Sequence, residues 1–289
     1  MVKTTALCLL AFSTLLAVHQ AGVVEAADGT CIDGTCKDRL DDNGGWNPTF
    51  SSWLNSSRCN IQKIPAFPAM DAETFRRHFE DRPVIITGVD NSRARELTRK
   101  SVLLKTYGRS IVTLSSANTF SHAKKKVTLE KYLENYFDAQ DVTSVANETW
   151  YMFGDNDYEG WADTFKAYRE PTWFLPHEIL QGLTSTYSFG IGSSGSGVPF
   201  HIHGPGFSEV LWGQKRWFLT PPDKIPDFSP DETSLVWLFT RYYEMLKSPD
   251  TSPFLYECII QPGDLLFFPD QWYHATINIG ESIFMSTFV

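Results

Sequence analysis

Three histidines are the residues of this chain best placed to do chemistry together. His201 and His203 stand two apart in Phe200-His201-Ile202-His203-Gly204-Pro205-Gly206. His274 closes the segment Pro262-Gly263-Asp264-Leu265-Leu266-Phe267-Phe268-Pro269-Asp270-Gln271-Trp272-Tyr273-His274. On a strand, residues two apart project from one face, with backbones about 7 Å apart, so the pair can chelate one ion when a third ligand faces it. His-x-His alone more commonly marks solvent-facing or hydrogen-bonded rings; His274 turns the pair into a candidate centre. Four residues on, Asn278 shares the face of His274 on an extended strand, where its amide can orient a ligand or the ring. The other histidines, His19, His78, His122 and His177, have no such company.

The elements that must position these residues are short strands. From Tyr187 onward, Tyr187 to Ile191, Glu209 to Leu219, Cys258 to Ile260, Leu265 to Phe268 and Ser282 to Phe288 are alternating or apolar runs separated by Gly and Pro. That texture predicts a mainly β fold, a barrel or sandwich with peripheral helices. Upstream, Asp71 is placed to cap a helix carrying Phe75 and Phe79, and Pro83 to Thr87 reads as a buried strand ended by Gly88. Thr98 is placed to cap a helix that ends at Gly108. After Thr128, the apolar residues Leu129, Tyr132, Leu133, Tyr136 and Phe137 fall on one helical face. A further helix is expected over Leu235 to Lys247. Residues 27–65 are rich in Asp, Gly, Asn, Ser and Cys and read as an irregular arm. The folded domain is expected over 66–289, with helices and strands in 66–183 and the barrel core in 184–289.

The N-terminus has the layout of a secretory signal: Lys3, an apolar run from Ala6 to Val18, and small residues before a cut near Ala26. The run is shorter than the roughly 20 apolar residues needed to span a bilayer. A signal over 1–26 is therefore expected to be removed, leaving no membrane-spanning segment. Four cysteines then remain, Cys31, Cys36, Cys59 and Cys258, which allow three pairings into two disulfides. A short Cys31–Cys36 loop with Cys59–Cys258 clipping the arm to the barrel is the favoured pairing; the alternative leaves Cys258 a buried thiol. Asn55 and Asn147 stand in glycosylation triplets. The 289 residues carry a net charge of −9. An acidic chain lacks the electrostatic footprint of a nucleic-acid binder, and Lys124-Lys125-Lys126 reads as a solvated turn before a helix.

His-x-His followed by Gly-x5-Pro, then His and x3-Asn, resembles the paired motifs of the cupin superfamily. Gly213-Gln214-Lys215-Arg216-Trp217-Phe218 with Pro221-Pro222 is similar to the strand after the metal motif in JmjC-domain hydroxylases, as are Arg82-Pro83-Val84-Ile85-Ile86 and Tyr107-Gly108 to that family's N-terminal pattern. The resemblance implies a JmjC-type double-stranded β-helix, or jelly roll. It also implies Fe(II) held by two histidines and a carboxylate, with open positions for 2-oxoglutarate and oxygen. On it, His201 and His274 are the two histidines and Lys215 pairs with the far carboxylate of 2-oxoglutarate. The carboxylate position falls on His203. An all-imidazole set suits Zn or another divalent metal at least as well as Fe(II).

Glu209 is the remaining carboxylate near the motif. Without a bulge, Glu209, Leu211, Gly213 and Lys215 share one face, so Glu209 is expected to point inward, as a ligand or as the ion-pair partner of Lys215. A bulge at Gly213 would turn it outward. Two functions follow from the resemblance. One is a 2-oxoglutarate-dependent protein hydroxylase of the endoplasmic reticulum lumen. The other is a non-catalytic JmjC scaffold that binds a partner in the secretory pathway. The chain stops at Thr287-Phe288-Val289 without a retention tetrapeptide, so secretion stands as the second compartment. A signal and disulfide-type cysteines fit poorly with histone demethylation in the nucleus.

Overall fold

The computed structural model describes residues 23–24, 42–66, 72–169 and 186–288. The expected signal cleavage site, the Cys31–Cys36 loop, the Asp71 cap and His177 lie outside the described residues.

A two-stranded ladder joins β1 (Val23–Val24) to β2 (Phe50–Ser51). The main sheet starts with β3 (Gln62–Pro65), which runs parallel to β4 (Val84–Thr87) across helix α1 (Ala72–Phe79). Then follow α2 (Ser92–Leu97), α3 (Lys100–Tyr107), β5 (Ile111–Ser116), β6 (Lys124–Thr128), α4 (Leu129–Asn135), β7 (Trp150–Phe153) and α5 (Ala162–Ala167). The C-terminal part comprises β8 (Thr186–Gly192), β9 (Gly206–Thr220), α6 (Ser234–Thr240), α7 (Tyr242–Lys247), β10 (Tyr256–Ile260), β11 (Asp264–Phe268) and β12 (Tyr273–Phe288). Strand order is β3-β4-β11-β9-β12-β8-β7-β5-β6, with β10 added to β9.

The expected fold class is the one observed, a mostly β jelly roll with helices outside. Its spine is the β9–β12 pair, antiparallel from Tyr273↔Thr220 to Phe288↔Gly206. Residues directly opposite share a face. Along the first half of β12 the pairs Leu219/His274, Trp217/Thr276 and Lys215/Asn278 therefore point together into the barrel. Arg216/Ile277 and Phe218/Ala275 point out, the apolar residues among them meeting Trp237, Leu238 and Tyr242 of α6 and α7. The register shifts between Ile279 and Phe284, beside Gly213 at φ +78°. A Cβ there would come within 2.3 Å of the Glu281 carbonyl oxygen, so the bulge requires glycine. Beyond it the parity is reversed: Val210/Phe284 and Ser208/Ser286 point in, while Glu209/Met285 point out under the N-terminal helices.

Four local expectations are corrected. Thr98 ends a helix rather than starting one: its hydroxyl donates back to the Ala94 carbonyl at 2.8 Å, and Arg99 precedes α3. The helix over 235–247 is two short helices broken at Arg241. Lys124 to Lys126 form edge strand β6, where a row of lysines deters pairing by another chain. The strand expected to carry His274 and the separate run Ser282 to Phe288 are one strand, β12, which runs from Tyr273 to Phe288 across both halves of the barrel. The helix expected after Thr128 is α4, and the Thr128 side chain caps it, accepting from Lys131 N.

The arm is pinned to the barrel. Cys59 is bonded to Cys258 on β10, the second bond of the favoured pairing. Around it, Asn60 N donates to Glu257 O at 3.0 Å, and Glu257 N donates to Asn60 Oδ1 at 2.7 Å. The Glu257 carboxylate is fully buried and takes Arg216 at 2.6 Å and the Tyr242 hydroxyl at 2.5 Å. Arg216 also donates to the Leu54 carbonyl. A buried ion pair needs such extra partners to offset its desolvation, and this one joins arm, β9, β10 and α7.

Candidate metal centre

His201 enters the site from an isolated bridge. Its N–H donates to His274 O at 3.1 Å, and His274 N–H donates back to His201 O at 3.0 Å. His203 follows on a turn whose carbonyl accepts from Gln271 N at 3.0 Å. Gln271 adopts φ +57°, a left-handed conformation that is costly for most side chains and that closes the Pro269 to Trp272 turn before β12. Three backbone bonds thus lock the two histidine segments together.

The three rings converge, and one nitrogen from each lies within 4.8 Å of the others. Each Nδ1 faces a backbone carbonyl: His201 that of Pro199 at 2.8 Å, His203 that of Gly204 at 2.7 Å, and His274 that of Trp272 at 2.8 Å. A carbonyl can only accept, so each Nδ1 carries the proton and each Nε2 presents a lone pair. His203 Nε2 and His274 Nε2 are 3.1 Å apart. Two acceptors facing each other that closely repel, and a cation between them removes the repulsion; the residues fit a metal. Desolvation, reinforced by the neighbouring imidazoles, lowers the His201 pKa to about 4 and the His274 pKa well below the usual value. Burial lowers that of His203 as well. The site is therefore neutral near pH 7. It is walled by rings: Phe268 lies 4.9 Å from His274 and Phe288 4.9 Å from His203.

Lys215 and Asn278 occupy the inward rung two pairs away. Lys215 is 1% exposed and donates to Asn278 Oδ1 at 3.1 Å; Asn278 Nδ2 donates in turn to Ser196 Oγ at 3.1 Å. Burial lowers the Lys215 pKa well below the ordinary lysine range. Among the described residues no carboxylate pairs with it, so an entering anion would supply the missing counter-charge. The donor set fits a small carboxylate.

Glu209 does not join either group. The bulge at Gly213 puts it on the outer face, so the inward expectation fails both as metal ligand and as partner of Lys215. Nor does it reach solvent: it is 1% exposed and accepts from Asn91 Nδ2 at 2.7 Å. Asn55 and Asn147 are exposed, and the Asn147 Oδ1 accepts from Asn118 at 2.7 Å. His78 and His122 are exposed and apart from the cluster.

Sequence reasoning passed over Trp217. Its indole stacks on His274 at 5.9 Å and on Phe268 at 5.6 Å, and its buried Nε1 has no partner among the described residues. The signal was available, since Trp217 lies two residues from Lys215 and so shares its face.

Comparison with known proteins places residues 71–286 against the family model for a cupin-like domain. The chain is 43% identical over 252 residues to JmjC domain-containing protein 8 of Rattus norvegicus, covering 85% of this chain and 89% of that protein. It is 43% identical over 249 residues to the Homo sapiens protein of the same name, covering 86% and 90%. At 28% identity over 261 residues it is similar to the bifunctional arginine demethylase and lysyl-hydroxylase psr-1 of Caenorhabditis elegans, covering 81% of this chain and 62% of that one.

Proposed function

The chain belongs to the cupin-like domain family, and from that premise we propose that it is a metal-binding JmjC-type protein that hydroxylates a protein side chain with 2-oxoglutarate in the endoplasmic reticulum lumen. The observation that carries this reading is the convergence of His201, His203 and His274, each with Nδ1 engaged and Nε2 free. A divalent metal bound there, Fe(II) for oxygenase chemistry, supplies open coordination positions for co-substrate and oxygen. The chain's own residues do the rest. The carbonyls of Pro199, Gly204 and Trp272 hold the ring orientations. Lys215 binds the far carboxylate, Asn278 orients the Lys215 ammonium, and Phe268, Trp217 and Phe288 keep water from the metal. The relative named as a demethylase and lysyl-hydroxylase supports an enzyme of this class.

The luminal assignment rests on the signal-like N-terminus and on a disulfide, a bond that persists in oxidising compartments. Exposed Asn55 and Asn147 are then acceptors for glycans, and secretion is the second location. Among the described residues no helix is long and apolar enough to cross a membrane.

A second reading is a non-catalytic scaffold holding Zn or another divalent metal and acting as a partner protein. It is favoured by His203 standing where the resemblance expects the carboxylate ligand. Calorimetric titration of 2-oxoglutarate into anaerobic, Fe(II)-loaded protein decides between them. Binding that disappears in His274→Ala and in Lys215→Ala is the result expected of the hydroxylase; a folded wild-type protein that binds none with any divalent metal leaves the scaffold.

A further inference from the structure

The barrel interior contains a contact that the proposed chemistry does not use. The Lys215 Nζ lies 3.5 Å from the centroid of the Phe284 ring. Both residues are 1% exposed, so the Lys215 amino group is held dry between a ring face and Asn278 Oδ1. Phe284 is seated there by its neighbours. Across the ladder it stands opposite Gly190, where a Cβ would come within 2.3 Å of the ring. Phe153 packs at 5.4 Å, with Tyr151, Val198 and Ala117 completing the cluster. Any other residue at position 190 would push the ring off its place over Lys215.

A carboxylate that pairs with Lys215 needs a side of that ammonium, and Phe284 covers one. A cation held against an aromatic face gains most when desolvated. We propose that Phe284 caps Lys215 and is the specificity-determining residue of this anion site: a ligand binds there only by displacing the ring or by sharing the ammonium with it. The inference rests on reading Lys215 as an anion-binding residue, and not on catalysis. It assigns the site a selectivity that charge alone does not provide, admitting anions whose gain at Lys215 exceeds the loss of the ring contact.

The test is the affinity of the full-length protein for 2-oxoglutarate, measured by calorimetry with Mn(II) in the metal site. Phe284→Leu keeps an apolar side chain of similar bulk and removes the π face. Phe284→Ala opens the space fully, and the leucine variant keeps the test alive if the alanine one does not fold. The cap predicts that the folded variants bind 2-oxoglutarate about tenfold tighter or better, and that adding Lys215→Met abolishes the gain. Wild-type binding that Phe284→Leu leaves unchanged or weakens overturns the cap and leaves the proposed function standing. Binding by the variants but not by the wild-type protein supports the cap and removes 2-oxoglutarate as a natural co-substrate. No binding by any of them overturns both.

Discussion

A carboxyl group sealed into the outer layer of a barrel wall has to be paired or protonated, and burial pushes Glu209 toward the protonated form. Its neighbours are the Asn91 amide and the Tyr168 phenol, with Arg95 and Asp90 acting through space. Desolvation outweighs their effects and pushes its pKa up to about 8. In the unfolded chain the same group titrates near the usual glutamate value of 4.5. Between those two pH values the folded chain keeps a proton that the unfolded chain has released, so stability falls as pH rises across the window and levels off above it. Glu209→Gln removes the titration while keeping an amide that can hydrogen bond. Urea midpoints taken from about pH 5 to about pH 8.5 should decline for the wild-type protein; the decline should be smaller for Glu209→Gln. Equal slopes would show that Glu209 is ionised in the fold. The same residue explains one limit of sequence reading. Its parity relative to Lys215 depends on a bulge, and a single inserted residue exchanges the two faces of a strand.

At the scale of elements, that bulge is the joint on which the site depends. Gly213 lets β9 carry Lys215 and Trp217 inward on one side and Val210 inward on the other. Gly213→Ala has to adopt a positive φ, at a cost of about 1–3 kcal/mol, and its Cβ meets the Glu281 carbonyl oxygen. The expected result is a lowered urea midpoint together with weakened metal binding; an unchanged midpoint would show that the ladder closes without the bulge. The positions of His201, His203 and His274 were legible because paired motifs fix them: a period-two pair, and a Pro-Gly turn leading to a strand with a second proline before the histidine. Lys215 and Asn278 were legible for the same reason. What the sequence could not reveal depends on packing between distant segments. Arg241 breaks a helix whose apolar pattern runs on without interruption. Lys124 to Lys126 look like a turn until β5 is present to pair with them. Phe284 is one apolar residue among several at the C-terminus, and only the folded barrel sets its ring against an ammonium.

At the scale of the molecule, one disulfide among the described residues supplements the apolar contacts through which Trp46, Leu54 and Ile61 of the N-terminal arm join the core. Cys59 and Cys258 are 199 residues apart, and cross-linking so long a loop restricts the unfolded chain strongly. Cys59→Ser should therefore cost about 2–5 kcal/mol, read as a lower melting temperature in the wild-type protein's buffer. An unchanged melting temperature would mean that Arg58, Asn60 and the buried Glu257 network hold the arm without it. The bond has another consequence, one of covalent topology. His201 and His203 lie inside the loop it closes, and His274 lies outside. A protease that cuts once between residues 60 and 257 therefore opens the ring without dividing the molecule. The nicked protein would run as one band on a non-reducing gel and as two after reduction; where the cut falls between residues 204 and 257, the sulfur bridge alone still joins His201 and His203 to His274.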